Sequence, residues 1–435
     1  MLLDSDYTAA LLALMRIDTV TPMEDGDGAL HASANQAYAA LAEGLGMRVV
    51  FAGAGCLPEQ ADAVVPTTIA RRMAEQADFL QRQPHLVLEL GRGDAEHTLM
   101  FNFHMDCVGP HLPASLDCGV LRGRGAVDNK GPGVAVLAAL AAVRRQCPQI
   151  FDSTRVLVMA VAGEEGGAMG VYGTRHLIER GFVGRLNVFV EPSDGAYFDA
   201  STTSMTWEAR VDGQGSTDDF PDQGQNATLM LAFLAQHMAA VLSPRMVALG
   251  VKMTLAGLHT GHQHNRVYGE GRLLFNFAYA DAAGAQAARA AVEAAFDGGL
   301  AAFADRFGAR PPFVRSAASV REVCHASWIK CGLPVLNNRH GELESVLASV
   351  GLLRNTNINE AFTCDAMWAQ RPGAYSIVFG PGSLARNGAH TAAEHVAIAE
   401  LEAFAVATAR LIVAFAHGHS PLPAAILDHF NPEKT

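Results

Sequence analysis

The sequence predicts an α/β fold: a mixed sheet flanked by helices, interrupted by an inserted α+β unit. Three observations lead there. Short apolar strands alternate with helical segments along the first two hundred residues. Charged and histidine side chains cluster where those strands end, the place where such sheets carry function. The pattern then changes after Ser201 and resumes after Pro311–Pro312.

The opening DYTAALLALMRI places Leu11, Leu12, Leu14, Met15 and Ile17 at helical spacing. A second helix over Ala34 to Leu45 stops at Gly46. MRVVFAG reads as a strand. The segment from Cys56 to Gln83 reads as a helix between two loops, either a surface addition or a wall of a cleft. PHLVLEL and HTLMFNF are strands, the second ending at His104. GRGAVDNKGPG leads into a helix from Val134 to Arg145. TRVLVMAVA is a strand that runs into Gly163 and Glu164, and LNVFVE ends at Glu191, with a helix from Tyr172 to Arg180 between them.

After Ser201, MTWEARVDG is a strand, Asn226 to Leu242 a helix, VKMTLAG and RLLFNFAYA strands, and Ala285 to Ala304 a helix. This β-α-β-β-α order forms a small unit of about 110 residues set into the larger one. The expected division is therefore 1–201 and 314–435 for the larger domain, with 202–313 inserted. In the last part, helices are expected at Val320 to Cys331, Glu342 to Val350 and Glu394 to Phe415, and a strand at Tyr375 to Phe379. The end from His417 reads as a tail.

Composition narrows the function classes. The chain has 435 residues, 50% hydrophobic and 17% charged, which argues against disorder. With 32 basic against 44 acidic residues, the net charge is −12. Bulk charge of that sign disfavours nucleic acid and anionic membranes as partners. Unbroken apolar runs fall short of the roughly 18 residues of a membrane span. No basic-then-apolar leader opens the chain. The seven cysteines show no CxxC spacing. Reduced thiols and a cytoplasmic location are the expectation.

Five segments carry chemistry: FNFHMDCVG with His104 and Asp106, GRGAVDNKGPG with Asp128, VAGEEGGAMG with Glu164 and Glu165, VFVEPSDG with Glu191, and VFGPGSLARNGAHTAAEH with His390. Each alone has a plain structural reading, such as a turn aspartate or a solvated acid pair. Adjacent Glu164 and Glu165 at the end of an apolar strand repel each other unless a cation is near. Histidine nitrogens and carboxylate oxygens together suit Zn²⁺, Mn²⁺ or Co²⁺, and one carboxylate can bridge two ions.

In order and content these segments resemble the aminoacylase / acetylornithine deacetylase / succinyl-diaminopimelate desuccinylase family of di-metal hydrolases, which includes glutamate-releasing carboxypeptidases. The resemblance spans about Ala9 to Phe415. It implies a zinc-exopeptidase-like catalytic domain with an inserted lid and dimerisation domain, two divalent ions (most simply zinc, with manganese or cobalt open), a small-molecule substrate and a homodimer. It implies that Asp128 bridges the ions, that His104 and Glu191 complete one set of ligands, and that Glu165 and His390 complete the other. Asp106 would hold His104 through its far nitrogen, Glu164 would be the general base, and Asp128–Asn129 would be a cis peptide. Asp365 in FTCDAMW would orient the site. Cys107 and Cys364, beside site segments, read as packing residues.

The sequence departs from that family twice. In DGQGSTDDFPDQGQNA the position of a lid histidine holds Thr217. Asn265 matches a lid asparagine, but the arginine expected to grip a substrate carboxylate is replaced by Ala278, with Arg266 and Arg272 nearby. His259, His262 and His264 precede Asn265. One of them could stand in for the missing histidine, the run could form a third metal site, or it could be a solvated loop. The implied reaction is hydrolysis of an amide or related C–N bond in an N-acyl amino acid. A dipeptidase or carboxypeptidase, an aminohydrolase of a carboxylate-poor or aryl substrate, and a non-catalytic binding relative are the alternatives.

Overall fold

The computed structural model describes residues 1–58 and 64–418. It divides into two compact units. The first takes residues 1–58, Thr68–Ser201 and the chain from Leu336; the second takes Thr202–Val335 with the short stretch 64–67.

A six-stranded mixed sheet organises the first unit. Its order is Arg48–Ala54, Pro84–Gly91, Arg155–Val161, Thr98–His104, Leu186–Phe189 and Tyr375–Val378. The first two pairings are antiparallel and the remaining three parallel. Strands buried on both faces read as continuous apolar runs, as TLMFNF and VLVMAV do. Alternate residues serve opposite faces. Phe101, Phe103, Val156 and Val158 join one apolar cluster, with helices Ser5–Met15, His31–Glu43, Lys130–Gln146 and Ile398–His417. Met100, Leu157, Met159 and Val161 join the other, with Leu177 and Ala366. Helix Lys130–Gln146 is buried from Lys130 to Val143 and comes close to the sheet through Gly133, where an added Cβ would stand 2.5 Å from the Phe103 ring. Phe103 is fully buried. Phe103→Ala should therefore cost about 3–5 kcal/mol, read as a lower urea midpoint at unchanged slope.

The second unit is an antiparallel sheet ordered Lys252–His259, Glu270–Tyr279, Thr203–Asp212, Cys324–Lys330. Helices Ala227–Ala248, Ala282–Phe307 and Val314–Val323 contribute to its apolar core. Two expectations change here. The helix expected over Val320 to Cys331 ends at Val323, and Cys324–Lys330 is a strand. The apolar spacing of CHASWIK permits either form, and pairing with Thr203–Asp212 decides it. The inserted unit therefore extends to Val335 and not to 313. Helix Ala227–Ala248 runs on through Pro244 and is long and apolar enough, by length and composition, to cross a membrane. The expectation of no such segment counted only unbroken runs. Its Met230, Leu231, Leu234, Met238 and Leu242 lie in the core of the unit.

The last helix also starts later than expected. His395–Ala397 is a strand, and the helix is Ile398–His417. Within the Cys56–Gln83 segment the structure has helix Thr67–Glu75, and residues 59–63 lie outside the described residues, as does the tail from 419. Cys56 and Cys118 are exposed, and the other five cysteines are buried.

Candidate metal centre

Parallel pairing aligns the strand ends that carry the site. His104 stands opposite Val161 in the register, so it and the Gly163–Glu165 turn leave the sheet side by side. Glu191 follows the neighbouring strand Leu186–Phe189. Asp128 precedes helix Lys130–Gln146, and the Asp128–Asn129 peptide is cis. The Asn129 amide donates to the Val190 carbonyl, which ties that turn to the residue before Glu191.

Four side chains gather around the carboxylate of Asp128. His104 Nε2 lies 2.8 Å from its Oδ1 and 3.6 Å from Glu191 Oε1. His390 Nε2 lies 3.0 Å from its Oδ2 and 3.1 Å from Glu165 Oε1. Each oxygen of one carboxylate thus faces a different histidine, and each histidine has its own glutamate. His104, Asp128 and Glu165 offer ligand atoms within 4.8 Å of one another. The His104 ring is fixed from behind: its Nδ1 donates to the Asp106 carbonyl at 2.8 Å. A carbonyl only accepts, so Nδ1 carries the proton and Nε2 is left for a ligand.

This corrects the role expected of the Asp106 side chain. Its Oδ1 is 3.8 Å from His104 Nδ1, and the backbone carbonyl takes the bond instead. The carboxylate does something else: Oδ2 accepts from the Gly163 and Glu165 amides at 3.0 and 3.2 Å. Asp106 therefore braces the turn that presents Glu164 and Glu165. Asp106→Ala should leave two buried amides unpaired, at about 1–3 kcal/mol each. Urea unfolding would show the loss, and kcat should fall at least about ten-fold as the turn loosens.

The electrostatics call for a cation. Burial is the largest influence pushing Glu165 up and Glu164 and Glu191 well above the usual carboxylate range, and neighbouring acids add to it. Asp128 is also buried, yet the bonds from His104 and His390 hold it well below that range. Burial opposes a charge on His104, but Glu191 and Asp128 raise it well above the ordinary histidine value. Asp128 and Glu165 push His390 up to about 10. Four carboxylates against two imidazoles leave an excess of negative charge that divalent ions would neutralise, and three of the carboxylates with the two histidines form an N/O donor set. The residues present fit such ions.

Asp365 is buried, accepts from the Thr174 hydroxyl, and lies against Gly170, where a Cβ would stand 2.3 Å from its oxygens. Burial pushes its carboxyl up to about 7. The lid candidates belong to the second unit. His259 ends strand Lys252–His259; His262, His264 and Asn265 follow it; all four are exposed. Arg266, also exposed, pairs across a two-residue ladder with Thr217, and Ala278 faces Lys252 and Ser204 in its sheet. Sequence reasoning missed Arg124 and Glu394, a buried ion pair at 2.6 Å beside the site. The only local signal was a charge in each of two site segments.

The model of Peptidase family M20/M25/M40 matches residues 100–414, an interval that contains every residue around Asp128. No curated protein matches the chain significantly. Solved structures share the fold. A tripeptidase from Staphylococcus aureus aligns with a TM-score of 0.65 at 18% identity, over 94% of this chain and 98% of its own. Human carnosine dipeptidase 1 gives 0.61 at 14%, over 95% and 97%. A dinuclear metal-binding peptidase of the same family from Bacillus subtilis gives 0.59 at 11%, over 95% and 100%. Agreement of the family match with a donor set built for divalent ions leaves one conclusion: the chain belongs to peptidase family M20/M25/M40, metal-dependent hydrolases of C–N bonds.

Proposed function

We propose that this protein hydrolyses an amide or related C–N bond of a small molecule, in the manner of an N-acyl amino acid deacylase, with Glu164 as general base. The observation that carries it is the sharing of Asp128: His104 on one oxygen, His390 on the other. His104, Asp128 and Glu191 would hold one divalent ion, and His390, Asp128 and Glu165 the second. Zinc suits this set, as do manganese and cobalt. When bound, the ions supply an acidified water and an electrophile for the carbonyl. Glu164 lies near enough to His104, Glu165 and Glu191 to feel their charges, and we assign it as the base and not as a ligand. Its carboxylate takes the proton of the attacking water and returns it to the leaving nitrogen, so water and amide become acid and amine.

Substrate recognition falls to the second unit. Asn265 and one of His259, His262 and His264 would meet the substrate, in place of the histidine absent at Thr217. Arg266 is the candidate grip for a carboxylate, given Ala278. The same unit would form the homodimer, and seven cysteines with no CxxC spacing accord with a cytoplasmic location. A dipeptidase uses the same centre, and the names of the solved relatives favour it. The two readings separate on substrate. Hydrolysis of N-acyl amino acids, dipeptides and carboxylate-free amides should be followed with and without chelator. Chelator-sensitive release from N-acyl amino acids supports the deacylase, and release from dipeptides alone supports the dipeptidase. Turnover of the carboxylate-free amides alone would show that Ala278 marks a changed substrate. Silence across the panel with ions bound would contradict all three.

A further inference from the structure

Asp128 lies four residues after Arg124, and His390 four residues before Glu394. A short antiparallel ladder joins these distant segments: His395 pairs with Arg122, Val396 with Leu121 and Ala397 with Val120. It continues by one bond, from the Gly123 amide to the Glu394 carbonyl at 3.1 Å. Beyond that point side chains take over. Arg124 Nη1 and Glu394 Oε2 form an ion pair with side chains 2% and 1% exposed.

Each partner also reaches toward the metal centre. Glu394 Oε1 accepts from the amides of Val127 and Asp128, both at 3.4 Å. Arg124 Nη1 donates to the Thr391 carbonyl at 3.4 Å, and its Nε to the Pro110 carbonyl at 3.3 Å. The carboxylate thus sits on the backbone of Asp128, and the guanidinium on the residue after His390. His390 itself has φ +63, a left-handed conformation that a non-glycine residue keeps only where its surroundings hold it. Stability alone does not explain such a pair, because apolar residues of similar volume serve a core as well as buried charges do. A charged, multiply bonded link between two ligand-bearing loops serves geometry.

We propose that Arg124 and Glu394 are positioning residues that set the spacing of Asp128 and His390, and thereby the affinity for the ion held between them. This rests on the reading of the metal centre given above. Glu394 acts through the backbone of Asp128, and Arg124 through that of Thr391, the residue after His390.

The test compares three variants with the wild-type chain. Glu394→Gln keeps the shape and removes the charge. The double variant Arg124→Met/Glu394→Leu removes the link and leaves no lone buried charge, which a single loss would. Arg124→Lys keeps the charge but loses the fork of donors. Co²⁺ would be titrated calorimetrically into metal-free protein, with its d–d absorption recorded and the Tm of the metal-free protein measured alongside. The expected result is a 10–100-fold weaker site for one of the two ions, with an altered Co²⁺ spectrum, in every variant that folds and whether or not its metal-free Tm falls. Variants with wild-type Co²⁺ affinity and spectrum beside a wild-type chain that binds two ions would overturn the positioning role alone. A wild-type chain that takes up no Co²⁺ would overturn the metal centre and this inference with it.

Discussion

Replacing Glu164 with glutamine should lower kcat by about 10²–10⁴-fold, the span that a positioned acid–base group supplies, while leaving the metal content unchanged. The prediction follows from how the turn is built. The flanking amides of Gly163 and Glu165 are anchored on Asp106, so the backbone around Glu164 is held. Gly163, Gly166 and Gly167 have φ values of +80, +64 and +76, which glycine adopts without strain and which let the chain turn tightly around both glutamates. Glu165 then reaches His390, whereas Glu164 makes no ion pair with either histidine. Glutamine preserves that shape and cannot take a proton. Steady-state kinetics with elemental analysis of the same sample would check it. Unchanged kcat would place the base elsewhere. Loss of an ion would make Glu164 a ligand.

Asp128→Ala has the larger structural reach. One carboxylate serves both histidines, so its removal opens both sets at once. Changes one layer farther out cost about 10–100-fold in metal affinity, and loss of a shared ligand should exceed about 100-fold at both sites. Turnover should fall to background. Glu165→Ala, by contrast, should weaken one site and spare the other. Metal titration of the two variants side by side distinguishes them. Retention of one tight ion in Asp128→Ala would mean that the carboxylate belongs to a single set.

Much of this centre was legible in the chain because three of its segments sit at the end of an apolar run that a sheet buries, while Asp128 and His390 lie in glycine-containing loops. His104 ends TLMFNFH, Glu164 and Glu165 follow RVLVMAV, and Glu191 follows LNVF. Continuous apolar strands of that kind fit a parallel sheet, and a parallel sheet delivers their ends to one edge. What stayed hidden depended on partners far away in sequence. Cys324–Lys330 has no period that separates strand from helix, and its neighbour over a hundred residues earlier settles the matter. Asp106 offers a carboxylate and a carbonyl within reach of the same ring, and only the turn geometry shows that the carbonyl is used. The Arg124–Glu394 pair spans 270 residues and leaves no local pattern.

The sharing of Asp128 between two ions is open to direct measurement by counting metal. Wild-type protein, His104→Ala and His390→Ala would each be stripped with chelator, reloaded with Zn²⁺, freed of excess ion and analysed for zinc per chain. The expected counts are about two for the wild type and about one for each variant. A wild-type chain that retains a single ion or none, or two variants that still hold both, would contradict the centre described.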